Sequence, residues 1–273
     1  MAMRKKGKRQ SHQSTDVLRG MALGLLGIAL LAGMGFAYRW ALTQPDPAAS
    51  CAKGFPTAVH AVVLDHSDSI TGQQGQHIRQ AFQRIKDGAQ AGTRFHIFAS
   101  TANTTDVLPA LLAVCVPKLP SSANPLIASQ KLMRKEFDEQ FSQIVDKALT
   151  DLLTRKPQPS SPILESLHAA TQTAFGPYKD GEVPMRLTFV SDMIQNSPSG
   201  SQFREEPNFE RLSRQPAWPS LRPRLKGAHV NLLYILRPDA KRGIAQIQSR
   251  SHQQFWEQVL AASGGVVDSI EPF

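Results

Sequence analysis

Asp65, Ser67 and Ser69 stand at alternate positions directly behind the apolar run Val62, Val63 and Leu64. A carboxylate and two hydroxyls on one tight turn supply part of an octahedral oxygen shell for a hard cation such as Mg²⁺, which keeps several of its waters. One turn cannot complete that shell. The same residue types also cap helices by accepting the orphan N–H groups of a first turn, so capping is the competing role here. Asp68, the other carboxylate of the turn, is read as such a cap.

Two more polar turns complete a possible constellation. Ser160, Ser161 and Pro162 form a turn, with Pro162 at the first position of a helix running to about Phe175. The apolar stretch 185–190 ends in Ser191 and Asp192, so a second carboxylate tips a second strand.

These groups need a scaffold that gathers strand ends. The unbroken β-branched and apolar run 62–64 is what a central parallel strand covered on both faces requires. A helical pattern begins near Gln74, and its stripe of Ile78, Ala81, Phe82, Ile85 and Ala89 predicts an amphipathic helix. Strands are expected over 94–100, 111–116, 185–190, 230–236 and 266–270, and helices over 128–153, 162–175 and 253–262. Residues 195–224, rich in Pro, Ser and Arg, read as a solvated loop with a short helix near Phe209. Alternating strands and helices predict an α/β fold with a doubly wound, mainly parallel sheet flanked by helices. In such sheets ligands bind beyond the carboxyl ends of the strands, where the polar residues above fall.

The formal charge of +9 over 273 residues would suggest nucleic acid, but it is unevenly placed. Arg4, Lys5, Lys6, Lys8, Arg9 and Arg19 face only Asp16 in the first nineteen residues, which leaves +4 for the rest. Residues 20–38 then carry no charge, close to the ~20 residues that cross a hydrocarbon core. The chain divides into a basic cytoplasmic tail (1–18), a transmembrane helix (19–40), a semi-extended Pro-rich linker (41–55) and a folded domain (56–273). Positive flanks stay inside, so the domain is expected in the periplasm or outside the cell, away from nucleic acid. A cleaved signal peptide has a shorter apolar region, typically ~7 to 15 residues. Gly20 and Gly24, with the second row Ala29, Gly33 and Ala37, would permit close helix approach in a homo-oligomer. In an oxidising compartment Cys51 and Cys115, the only cysteines, are expected to pair; two buried thiols are the alternative.

Taken together, the three polar turns resemble a von Willebrand factor type A domain with its metal-ion-dependent adhesion site. LDHSDS matches the family's Asp-x-Ser-x-Ser with Asp65, Ser67 and Ser69. Ser161, before PILESL, takes the place usual for threonine, and Asp192, in FVSDM, takes that of the aspartate ending the fourth main strand. The resemblance implies a metal set of Asp65, Ser67, Ser69, Ser161 and Asp192 holding Mg²⁺ (or Mn²⁺ or Ca²⁺). It further implies an open coordination position for an Asp or Glu of a protein partner. Met193 stands where the family often has glycine, and would crowd the mouth of the site.

The expected function is metal-dependent protein–protein binding by a membrane-anchored domain, as part of an envelope or secretion-type assembly. The first alternative is a metal-independent structural subunit. A metal-dependent hydrolase is the third reading: Ser67 breaks the Asp-x-Asp of aspartate-nucleophile phosphatases, and His66 points apart from its serine neighbours on the turn. The chain is therefore expected not to be an enzyme. The histidines are scattered without zinc-ligand spacing, and most of them read as surface or strand residues.

Overall fold

The computed structural model describes residues 10–43, 46–101, 107–122, 129–237 and 247–273. The basic residues Arg4 to Arg9 and the expected helix start at Ala128 lie outside them. The chain forms two compact units, Met1–Pro45 and Asp46–Phe273.

The first unit is the helix α1 (Gln10–Thr43). Its segment Gly20–Ala37 has a mean hydropathy of 2.0 and is long and apolar enough to cross a membrane. Leu23, Leu31 and Phe36 stand exposed along it.

In the second unit the elements follow in order: α2 (Pro47–Ala52), β1 (Ala58–Leu64), α3 (Gly72–Asp87), β2 (Thr93–Ala99), β3 (Leu112–Cys115), α4 (Gln130–Phe137), α5 (Gln143–Leu153), α6 (Ile163–Phe175) and β4 (Met185–Ser191). Then come the short strands β5 (Asn196–Ser197) and β6 (Gly200–Ser201), α7 (Phe209–Ser213), α8 (Trp218–Leu221), β7 (His229–Tyr234), α9 (Arg250–Ala262) and β8 (Val266–Pro272).

Six strands form one sheet in the order β3-β2-β1-β4-β7-β8. Every pair in it is parallel except β2 with β3, which is antiparallel from Arg94↔Cys115 to Ile97↔Leu112. The chain walks outward from β1 through β2 to β3, then returns to the other side of β1 and walks outward again. The switch point therefore lies between β1 and β4, the place where such sheets open a crevice at their carboxyl ends.

Side chains alternate across the pleat, so the apolar run of β1 feeds two cores. Val59, Ala61 and Val63 pack with Leu167 of α6 and with Trp256 and Val259 of α9. Val62 and Leu64 pack on the opposite face with Ile78 and Phe82 of α3 and Val145 and Leu149 of α5. That two-sided burial is why β1 shows no polar alternation in sequence.

Three expectations change locally. The linker is not simply extended: Asp46 caps the turn of helix Pro47–Ala52, its carboxylate accepting from the Ala48 N–H at 3.0 Å. Cys51 on that helix bonds to Cys115 at the end of β3, with Cα atoms 6.0 Å apart. Closing a loop with a sequence separation of 64 residues stabilises the domain by about 4 kcal/mol on the chain-entropy account. The long helix expected over 128–153 is interrupted by a π-helical turn at Asp138–Ser142. There Phe141 stacks edge-on against Phe95, and the buried Lys86 ammonium reaches Asp146 at 2.6 Å and Ser142 at 3.1 Å. Finally, His252 is neither a surface nor a strand residue: it is buried in α9, against the Tyr234 hydroxyl at 2.6 Å.

The arginine-rich segment has the expected solvated charges and short helix near Phe209, and it adds the strands β5 and β6 and the helix α8. Arg211 pairs with Glu205 at 3.0 Å and Arg214 with Glu210, all of them exposed, while Trp218 turns inward against Phe209.

Candidate functional site

Asp65 follows the last residue of β1, at the switch point, and is 3% exposed. Its Oδ2 accepts hydrogen bonds from the hydroxyls of Ser67, Ser161 and Ser191, each at 3.0 Å. Its Oδ1 accepts from the Ser100 hydroxyl at 2.7 Å and the Ser67 N–H at 3.1 Å. One carboxylate thus gathers four hydroxyls from four segments: the turn after β1, the end of β2, the turn before α6 and the end of β4.

Each donor is held in place by ordinary backbone chemistry. The parallel register sets Leu64 beside Ala99 and Val190, so residues one position further on meet across the strand ends. Ser161 is fixed by a two-way bridge to Asn196, N–H to carbonyl at 2.8 Å in both directions. Pro162 sits at the cap of α6 rather than inside its first turn, and the Gln195 side chain satisfies the orphan Leu164 N–H at 3.0 Å. Glu165 in turn holds Gln195 at 2.9 Å.

Capping is not what the β1 turn does. Thr71 caps α3, accepting from the Gln74 N–H while the Gln74 side chain returns a bond to the Thr71 N–H. Asp68, expected as the cap, has no such bond, because the helix begins too far along the chain for it to reach.

Of the five residues expected to hold a metal, Asp65, Ser67 and Ser161 are joined directly. Asp192 lies beyond the end of β4, 2% exposed, and is held apart from the hydroxyls. Its Oδ1 accepts from the Ile194 N–H at 3.0 Å and its Oδ2 from Arg237 Nε at 3.1 Å. Burial, and next the negative charge of Asp65, push its pKa up to about 6; Arg237 and the Ile194 N–H pull the other way. Ser69 is exposed, and it joins the group through its carbonyl, which accepts from Arg237 Nη1 at 2.6 Å.

Met193 does not crowd a mouth. It adopts a left-handed backbone, φ 62°, which turns its fully buried side chain into the core, while its carbonyl accepts the Trp256 indole N–H at 2.8 Å. His66 is also turned away from the serines. Its Nε2 lies 2.6 Å from Gln158 Nε2, and burial lowers its pKa, with Arg155 adding to that and Asp65 opposing it.

Three participants were not singled out as donors in the sequence: Ser100, Ser191 and Arg237. The first two are the polar residues that end apolar runs, a signal of the same kind as Asp65. Arg237 carries no local signal, since its partners lie 45 and 168 residues away in sequence.

Chemically, a serine hydroxyl has one hydrogen to donate and two lone pairs. Donation to Asp65 orients each hydrogen toward the carboxylate and leaves lone pairs free to accept or to coordinate. Among the described residues no group of three or more His, Cys, Asp or Glu side chains comes together, so any cation here would rest on hydroxyls and two carboxylates. No protein-family model matches the chain, and no curated protein matches it.

Proposed function

We propose that the second unit is a von Willebrand factor A-like domain that binds a divalent cation, Mg²⁺ or its substitutes Mn²⁺ and Ca²⁺. Asp65, Ser67, Ser69, Ser161 and Asp192 supply the oxygens, and the ion holds an Asp or Glu of a protein partner. The observation that carries this reading is the gathering of four hydroxyls on one buried carboxylate at the switch point of the sheet. Hydroxyl-rich, carboxylate-poor surroundings suit a hard, hydrated dication and leave it short of negative charge, so an incoming carboxylate gains. The raised pKa of Asp192 beside Asp65 points the same way, because two buried like charges are relieved by a dication.

In this reading α1 is a retained anchor, with the domain on the extracytoplasmic side. The Cys51–Cys115 disulfide supports that placement, since such bonds persist in oxidising compartments. A metal-independent structural subunit is the second reading, favoured by Arg237, whose guanidinium already neutralises Asp192.

The test is thermal unfolding of the full chain in detergent, with and without millimolar Mg²⁺ or Mn²⁺. A rise of several degrees that Asp65→Ala and Asp192→Ala both abolish is the expected result. No rise in the wild type returns the hydroxyl cluster to a purely structural role.

A further inference from the structure

The guanidinium of Arg237 bridges two of the five candidate metal residues, through the Asp192 carboxylate and the Ser69 backbone carbonyl. Nε bonds to Asp192 Oδ2 at 3.1 Å and Nη1 to the Ser69 carbonyl at 2.6 Å, and the side chain is 12% exposed. Its backbone is pinned as well: the Arg237 N–H donates to Gln248 Oε1 at 2.7 Å, and Gln248 Nε2 donates to the carbonyls of Asp192 at 3.0 Å and Ile235 at 2.8 Å. The neighbouring Leu236 carbonyl accepts from Gln74 Nε2 at 3.1 Å, which ties the same segment to the first turn of α3. Arg237, in the segment after β7, is thus locked between the two turns that carry Asp65 to Ser69 and Asp192.

We propose that Arg237 is a tethered cation that competes with the divalent ion for Asp192 and for the Ser69 turn, so that metal binding requires its withdrawal. This inference rests on the metal reading above. The charge count supports it. Two carboxylates face one guanidinium, which leaves a net negative site that a dication would neutralise only by displacing a fixed positive charge in bonding contact with Asp192 Oδ2. A guanidinium and a dication sharing one carboxylate in a buried setting repel strongly. Apparent metal affinity is then reduced by the fraction of molecules in which Arg237 has let go.

The experiment is direct Mn²⁺ titration of the full chain in detergent, read by the electron paramagnetic resonance of free Mn²⁺. Wild type is compared with Arg237→Ala, Arg237→Gln and Asp65→Ala, each checked for folding by circular dichroism. Arg237→Gln keeps a donor for the Ser69 carbonyl without the charge, and serves where Arg237→Ala fails to fold. The expected result is Mn²⁺ binding at least about tenfold tighter in both Arg237 variants than in wild type, and none in Asp65→Ala. Equal affinity in wild type and in the Arg237 variants, with loss in Asp65→Ala, overturns the competition and leaves the metal site standing. A fall in melting temperature without a change in Mn²⁺ affinity makes Arg237 a structural brace and likewise overturns it. No Mn²⁺ binding by wild type or by the Arg237 variants overturns this inference together with the metal reading.

Discussion

The ends of β1 and β4 lie side by side and each is followed by a buried aspartate, yet the two carboxylates are accommodated by opposite means. Asp65 is surrounded by neutral donors, four serine hydroxyls and a backbone N–H. Asp192 is met by one backbone N–H and a guanidinium carried in from the segment after β7. Hydroxyls spread a charge without cancelling it, whereas a guanidinium cancels it and occupies the space in front. The first end is thus a prepared but uncompensated anion, and the second is only partly compensated, because burial and Asp65 outweigh Arg237 and hold its pKa up at about 6.

The largest effect is expected from removing the centre of the β1 end. Asp65→Ala leaves three buried hydroxyls and the half-buried Ser67 hydroxyl without their common acceptor, and about 4 kcal/mol of stability should be lost in urea unfolding. A loss below ~1 kcal/mol would mean that the hydroxyls find other partners and that Asp65 organises nothing.

The β4 end should be more sensitive to the buried Met193 side chain than to its carboxylate. Met193→Gly relieves the left-handed φ of 62° but empties a fully buried site, and the cavity outweighs the relief by about 3 kcal/mol. A stabilised Met193→Gly variant would show that strain dominates there.

Asp192→Asn should act in the other direction. Between pH about 4 and about 6 folded Asp192 keeps a proton that the unfolded chain has released, so stability falls as pH rises through that window. Above it the wild type carries the cost of the buried charge and the amide does not. The metal-free variant is therefore expected to be more stable by about 2 kcal/mol at pH 7.5, with the gain gone at pH 4. Melting curves at the two pH values check this, and a destabilised variant at pH 7.5 would show that Arg237 compensates Asp192 fully.

The smallest effect belongs to a single hydroxyl. Ser100→Ala removes one of the five bonds to Asp65 and should cost about 1 kcal/mol. Ser191→Ala should cost slightly more, because that hydroxyl also accepts the Met193 N–H at 2.8 Å. Urea midpoints of the two variants, compared side by side, decide the ranking.

Much of the β1 end was legible in sequence. An apolar run that stops at Asp65 announces both the buried strand and the polar tip, and Asp65, Ser67 and Ser161 do meet as their positions suggested. The same spacing points to Ser69, but no hydrogen bond joins its hydroxyl to Asp65, and its carbonyl meets Arg237 instead. Met193, expected to crowd the mouth of the site, turns into the core instead; nothing local announces a left-handed turn at a methionine.

By itself, the amino-acid sequence determined the apolar stretch of α1 and the periods that make strands and helices; that Cys51 and Cys115 pair was an expectation which the structure decided. The stretch and the periods follow from local composition and spacing, which a chain carries wherever it folds. Which hydroxyls share Asp65, why Asp192 is set apart with Arg237, and where the long helix takes its π turn were decided by the tertiary structure alone. Those outcomes depend on parallel register and on contacts between residues tens to more than a hundred positions apart, and such distances are fixed only when both faces of the sheet are packed.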